Sequence, residues 1–320
     1  MIVRSARRLL LLAAGVATAG LVASLPARGQ DAPKLYVHLE TPGRFAYSGD
    51  PAQISILFKN EGTAPWINPG IDIEAGFQVH DHAGKQLERA KVPSSSKDGQ
   101  PKQLDPNAYF GRIVDLHALF PGIATVGSYR VTWSAPGVPE QNLATRVIKK
   151  YDPKKDYQAV IETEFGKVVL EFYRDLAPGH VKNFIDLANT GFYDGLLFHR
   201  IVKGDLAFGG SPTGDERGSP GYNVPPEPNG LKVLPGVVAQ VRNSQTGADE
   251  SGCIFMIAVN AQADMDGRVT VFARVVDGLD TVKAITNVPT VGGPPRVASR
   301  PIKDVVIKKI DVREKPPKKG

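Results

Sequence analysis

Phe198-His199-Arg200-Ile201-Val202-Lys203-Gly204 is a short apolar segment carrying one strong cation, and it breaks into the glycine-rich Gly209-Gly210-Ser211-Pro212-Thr213-Gly214. Alternation with period two predicts a strand with Phe198, Arg200 and Val202 on one face. An arginine sharing a face with Phe and Val has two readings. It is a core-edge cation paired to a carboxylate, or a cation held in an apolar groove to act on a neutral polar ligand.

Upstream stand Leu176-Ala177-Pro178, Val181-Lys182-Asn183-Phe184 and Gly191-Phe192-Tyr193-Asp194-Gly195. Downstream stands Met265-Asp266-Gly267-Arg268-Val269-Thr270-Val271-Phe272-Ala273-Arg274-Val275. In this order the motifs resemble the cyclophilin family of peptidyl-prolyl cis-trans isomerases, over roughly Tyr157 to Val312. The resemblance implies a mainly β fold, a β-barrel of about eight strands capped by two helices. It also implies prolyl isomerisation of proline-containing polypeptides, assisting protein folding, with no cofactor and no metal.

The residues support that layout. Ala159–Thr163 and Lys167–Tyr173 flank Glu164-Phe165-Gly166 as a hairpin. Pro178 suits a first helical turn, where its missing N–H costs nothing. Val181, Phe184, Ile185 and Ala188 then recur on one helical face, and Gly191 closes it. Val237–Val241, Ile254–Val259, Val269–Val276 and Val305–Val312 read as strands, with a second helix around Leu279, Val282 and Ile285. The glycine loop lacks a phosphate-binding pattern, and Asp264-Met265-Asp266-Gly267 lacks the downstream glutamate of a calcium loop.

By resemblance, Arg200 is the catalytic residue, and Phe198, Leu206, Phe208, Val241, Arg242, Met256 and Met265 are expected to bind substrate. Where the family has Gly-Phe-Met-x-Gln-Gly-Gly, this chain has Gly204-Asp205-Leu206-Ala207-Phe208-Gly209-Gly210. The glutamine that supports the arginine is thus Phe208, which cannot hydrogen-bond. The family's Met-Ala-Asn run falls on Gln240-Val241-Arg242, or one residue later so that Asn243 serves. The pocket-floor Phe is Met256, and the family's Trp and His become Asp264 and Val269; by the resemblance, the missing Trp implies weak or no cyclosporin binding. Asp205 could pair with Arg200 and occupy it. Two readings follow, an exported isomerase and a cyclophilin-fold binding module without turnover.

The chain has 320 residues, 42% of them apolar and 22% charged, ordinary for globular protein and long enough for two domains. Arg4, Arg7 and Arg8 precede an apolar run from Leu9 to Ser24 and a small-x-small site at Ala27-Arg28-Gly29. Residues 1–29 therefore read as a cleaved signal peptide, with a retained anchor as the alternative, and the product as periplasmic or secreted. The segment holds Arg4, Arg7, Arg8 and Arg28 and no acids, so its removal takes the formal charge from +6 to +2 (6 − 4). A nucleic-acid partner loses its main support. No second long apolar run predicts a membrane span in the mature chain. Cys253, the single cysteine, sits in an apolar run and reads as a small core residue.

Residues 30–151 read as an immunoglobulin-like β-sandwich, with strands near Lys34–Glu40, Gln53–Lys59, Gly76–His82, Tyr109–Leu116, Tyr129–Ser134 and Leu143–Lys150. A polar loop spans Pro93–Pro106. His80 and His82 would share a strand face, but no third ligand accompanies them. The sandwich suits a spacer or a module for a protein partner. Asp152-Pro153-Lys154-Lys155-Asp156 is a polar joint leading to the cyclophilin-like domain at 157–312, and 313–320 form a disordered basic tail.

Overall fold

The structure, a computed structural model, describes residues 32–92, 99–242, 250–291 and 299–315, without the side chains of Val241, Arg242, Glu250 and Ser251. The signal-peptide reading of 1–29, part of the polar loop (93–98), Asn243 and most of the tail (316–320) lie outside the described residues, while Arg313 and Glu314, expected in a disordered tail, instead pair as strand with Gln158 and Tyr157.

Two small sheets make the N-terminal unit. The first runs β1 (Leu35–Glu40), β3 (Gln53–Asn60), β7 (Tyr109–Asp115); the second runs β2 (Ala46–Tyr47), β9 (Val138–Ile148), β8 (Gly127–Ala135), β5 (Phe77–Asp81). A short pair joins β4 (Trp66–Ile67) to β6 (Gln103–Leu104). Along β3 the inward positions Ile54, Ile56 and Phe58 alternate with half-exposed ones, the expected pattern for a sheet with one buried face. They share one core with Phe77, Val79, Val131 and Trp133 of the second sheet. Trp133 is fully buried, and its indole N–H reaches the Ile73 carbonyl at 2.8 Å, so no donor is left unpaired.

The two-residue strands β2, β4 and β6 are too short to show a period and were not foreseen. Nor was the one-turn helix α1 (Leu116–Leu119), capped by the Asp115 carboxylate accepting from His117 N–H at 3.0 Å. The structure also corrects the histidine pair: β5 ends at Asp81, so His82 lies in the following turn and off the strand face of His80. Among the described residues no group of three His, Cys, Asp or Glu side chains could hold a metal ion.

The joint is packed. Tyr151 belongs to the C-terminal core, with its ring 5.4 Å from that of Tyr157. Tyr47 of the N-terminal unit donates to Asp186 Oδ2 of the C-terminal unit at 2.6 Å, and Lys182 bonds both groups.

The C-terminal unit is one curled sheet in the order β12 (Arg200–Val202), β13 (Leu206–Gly209), β16 (Glu250–Ala258), β15 (Val237–Arg242), β17 (Val271–Asp277), β11 (Gly166–Phe172), β10 (Tyr157–Thr163), β18 (Ile307–Glu314). The short β14 (Asn223–Val224) adds to β16. The two ends of this path meet through the Leu197–Val306 bridge and the Phe198 N–H to Val305 carbonyl bond at 2.8 Å. Helix α2 (Pro178–Asn189) has its proline in the first turn and Gly191 beyond its end at φ +67°. Its N-cap residue, Ala177, offers no side-chain acceptor; instead Glu227 accepts the N–H groups of Gly179 and His180, each at 3.0 Å. The buried face of α2 sets Phe184 among Phe172, Tyr193, Phe255 and Phe272, while α3 (Leu279–Thr286) buries Val282 and Ile285. Cys253 is buried in this core, as expected.

Strand alternation divides the apolar residues into two clusters. Ile201, Ala207, Phe255 and Ile257 join the larger core. Val202, Leu206, Phe208, Met256 and Ala258 form a second cluster with Val233, Ala239 and Val271.

Candidate active site

The second cluster carries the site, and strand register builds it. Arg200 opens β12 and faces Phe208 of β13; Phe208 faces Met256 of β16; Met256 faces Ala239 of β15. Directly opposed residues in antiparallel strands place their side chains together. One row therefore runs from a cation across an aromatic ring and a thioether. The neighbouring row is Val202, Leu206 and Ala258. Met265, at the end of a 3-10 turn (Ala263–Met265), packs half-buried on the same cluster.

The guanidinium of Arg200 lies 4.1 Å from the centre of the Phe208 ring. The ring face holds the guanidinium through a cation–π contact. Burial lowers the Arg200 pKa from its ordinary value, but a guanidinium titrates so high that the group remains a cation at neutral pH. Its Nε is buried without a hydrogen-bond partner, and Nη1 pairs with Glu216. The side chain is 31% exposed, so the cation is neither sealed in the core nor free in solvent.

Glu216 carried no signal in the sequence, since loop carboxylates are common and no periodicity aims one. The fold aims it. Gly210, at φ +90°, turns the chain where a Cβ would lie 2.4 Å from the Cys253 carbonyl. The next turn is held by Asp215, which accepts from Thr213 Oγ1 at 2.6 Å and from the Arg217 N–H at 2.9 Å. The Thr213 hydroxyl and Arg217 hold the Asp215 carboxyl well below the usual carboxylate range. This fixed turn presents Glu216 to Arg200 and keeps Arg217 on Asp215.

Other expected positions fall differently. Phe198 does not share a face with Arg200: β12 begins only at Arg200, and Phe198 turns into the larger core, its ring 6.1 Å from that of Phe255. Asp205 does not occupy Arg200; its carboxylate accepts from Gln262 Nε2 at 2.6 Å. Leu206, Phe208 and Met256 are buried beneath the site, and Met265 is half exposed. Val241 and Arg242 end β15 past a register shift opposite Glu250, and their side chains lie outside the described residues. His199 is buried, and burial pushes its pKa below the ordinary value.

The family model for the cyclophilin type peptidyl-prolyl cis-trans isomerase matches residues 158–312. A peptidyl-prolyl cis-trans isomerase of Synechococcus elongatus is 38% identical over 132 residues, covering 41% of this chain and 89% of the relative. Peptidyl-prolyl cis-trans isomerase B of Bacillus subtilis is 40% identical over 122 residues, covering 38% of this chain and 85% of the relative. A solved cyclophilin-type isomerase from Cryptosporidium parvum is 25% identical, with a TM-score of 0.45, covering 50% of this chain and 99% of that one. The matched segment contains the Arg200 row, both long helices and the curled sheet. The chain belongs to the cyclophilin-type peptidyl-prolyl cis-trans isomerase family, and residues 158–312 are its isomerase domain.

Proposed function

We propose that the protein is an exported prolyl isomerase in which Arg200 donates to the twisted X–Pro amide. Rotation of that bond must break amide resonance, a barrier of about 18–20 kcal/mol. In the twisted form the prolyl nitrogen regains its lone pair, and the carbonyl swings out of conjugation. A fixed donor that meets the twisted form better than the planar one lowers the barrier without a nucleophile, metal or cofactor. The observation that carries this reading is the row Arg200–Phe208–Met256: a cation held by a ring, over an apolar floor. The proline ring rests against Met265 above Leu206 and Met256, and the flexible thioethers of the two methionines adapt to it.

Export rests on the basic segment and apolar run at Arg4–Ser24. The N-terminal unit is read as an immunoglobulin-like sandwich that holds the isomerase domain and offers surface to a protein partner. Detecting the mature N-terminus near residue 30 in protein recovered from outside the cytoplasm tests export; recovery of an intact Met1 overturns cleavage.

The catalytic reading is tested by prolyl exchange on an X–Pro peptide. Mature protein should accelerate it, and Arg200→Ala should remove roughly 10²–10³ of the rate. The pairing of Arg200 with Glu216 favours a second reading, a binding module without turnover. Background rates in both folded proteins would establish it.

A further inference from the structure

Glu216 sets a carboxylate at the rim of the Arg200 site. Glu216 meets the guanidinium from the glycine loop, Asp205 stands half-exposed beside Leu206, and Asp264 is exposed beside Met265. Asp205 and Asp264 occupy positions where the resembling motifs carry aromatic side chains. The neighbouring loop cation, Arg217, is tied to Asp215. A carboxylate at the edge of an apolar floor attracts cationic ligands and repels acidic ones.

Glu216 adds a step to substrate binding. A substrate carbonyl that takes the Arg200 Nη1 donor draws it away from Glu216. Both side chains are partly exposed, 31% and 44%, so their pairing is weak and exchangeable. Glu216 is then left without its counter-charge. A Lys or Arg on the substrate can supply it; an acidic side chain would compete for Arg200 and face the remaining carboxylates.

We infer that this site selects proline-containing segments with a Lys or Arg close to the X–Pro bond, and that Glu216 is the specificity-determining residue that receives this cation when Arg200 engages the substrate. The inference rests on the isomerase reading of the same site and adds its substrate class.

The test uses the mature protein and three peptides that share one X–Pro bond and differ only at the residue before X: Lys, Gln or Glu. At low ionic strength kcat/KM should be about fivefold higher for the Lys peptide than for the Glu peptide, with most of the difference in KM. The ratio should shrink in about 0.5 M salt, where screening is strong. It should also collapse in Glu216→Gln, whereas Glu216→Asp should keep part of it. Equal values for Lys and Glu peptides, or a preference unchanged in Glu216→Gln, would overturn the inference. Binding of the same peptides is followed in parallel by NMR shift titration. No exchange with any peptide, together with tighter Lys-peptide binding that depends on Glu216, refutes turnover and retains the charge selection. Equal binding of all three refutes the selection itself.

Discussion

Arg200 stacks on Phe208 because the two are register partners on adjacent antiparallel strands, and their contact of 4.1 Å is set by β12 and β13 rather than by the loop between them. Among the described residues its other partner is the half-exposed Glu216. The ring is therefore the main support of the cation. Phe208→Leu keeps an apolar side chain in the buried position but removes the π face. A partly desolvated cation–π contact is worth about 1–2 kcal/mol. The expected result is a roughly tenfold lower kcat/KM in prolyl exchange, with a melting temperature lowered by a few degrees in a protein that still folds. An unchanged rate would show that the stack does not orient Arg200.

Arg200→Lys keeps the charge and loses the plane. A lysine ammonium is a point charge on a flexible stem and cannot stack flat on Phe208 while donating along a second edge. Exchange should fall by about tenfold or more, since each 1.36 kcal/mol of lost transition-state binding costs that factor. Full activity in the Lys variant would mean that charge alone suffices.

The two units are joined by a polar contact that can be cut with one atom. Tyr47 donates to Asp186 Oδ2 at 2.6 Å, and burial, then the bond to Asp186, raises its pKa. Tyr47→Phe should lower unfolding stability by about 1 kcal/mol. It should also speed protease cleavage at Asp152–Asp156. Prolyl exchange should be unaffected, since Tyr47 and the Arg200 row belong to different sheets. Wild-type cleavage kinetics in the variant would show that the Tyr47–Asp186 bond does not hold the joint.

His199 gives an acid-side stability slope. Its folded-state pKa is lowered by burial. Below about pH 6.5 the unfolded chain takes up a proton on this imidazole that the folded chain refuses. The unfolded state then binds more protons, so stability falls as pH drops from about 6.5 toward the lower folded value. Urea midpoints measured from pH 7 downward should show this fall, and His199→Leu should flatten it. Identical slopes in the two proteins would place the titrating group elsewhere.

Much of this protein follows from sequence alone, for physical reasons tied to repeating patterns. Ile54, Ile56 and Phe58 alternate, so β3 is legible; Val181, Phe184, Ile185 and Ala188 return every turn, so α2 is legible, with Pro178 and Gly191 marking its ends. Arg200 stood out as a charge inside an apolar strand, and ordered motifs around it pointed to the isomerase family. The two-residue strands, the one-turn helix α1 and the face of Phe198 did not follow, because a segment shorter than a period carries no phase. Local sequence assigned Phe198 to the face of Arg200, and only the chain's approach to Val305 turned it into the other core. Tertiary structure alone decided the partners of the cation. Asp205, near in sequence, is drawn to Gln262, while Glu216, sixteen residues from Arg200, is delivered by a glycine turn and the Asp215 bonds. Which carboxylate meets a charge depends on where loops fold back, and that is fixed by contacts between distant residues rather than by any pattern along the chain.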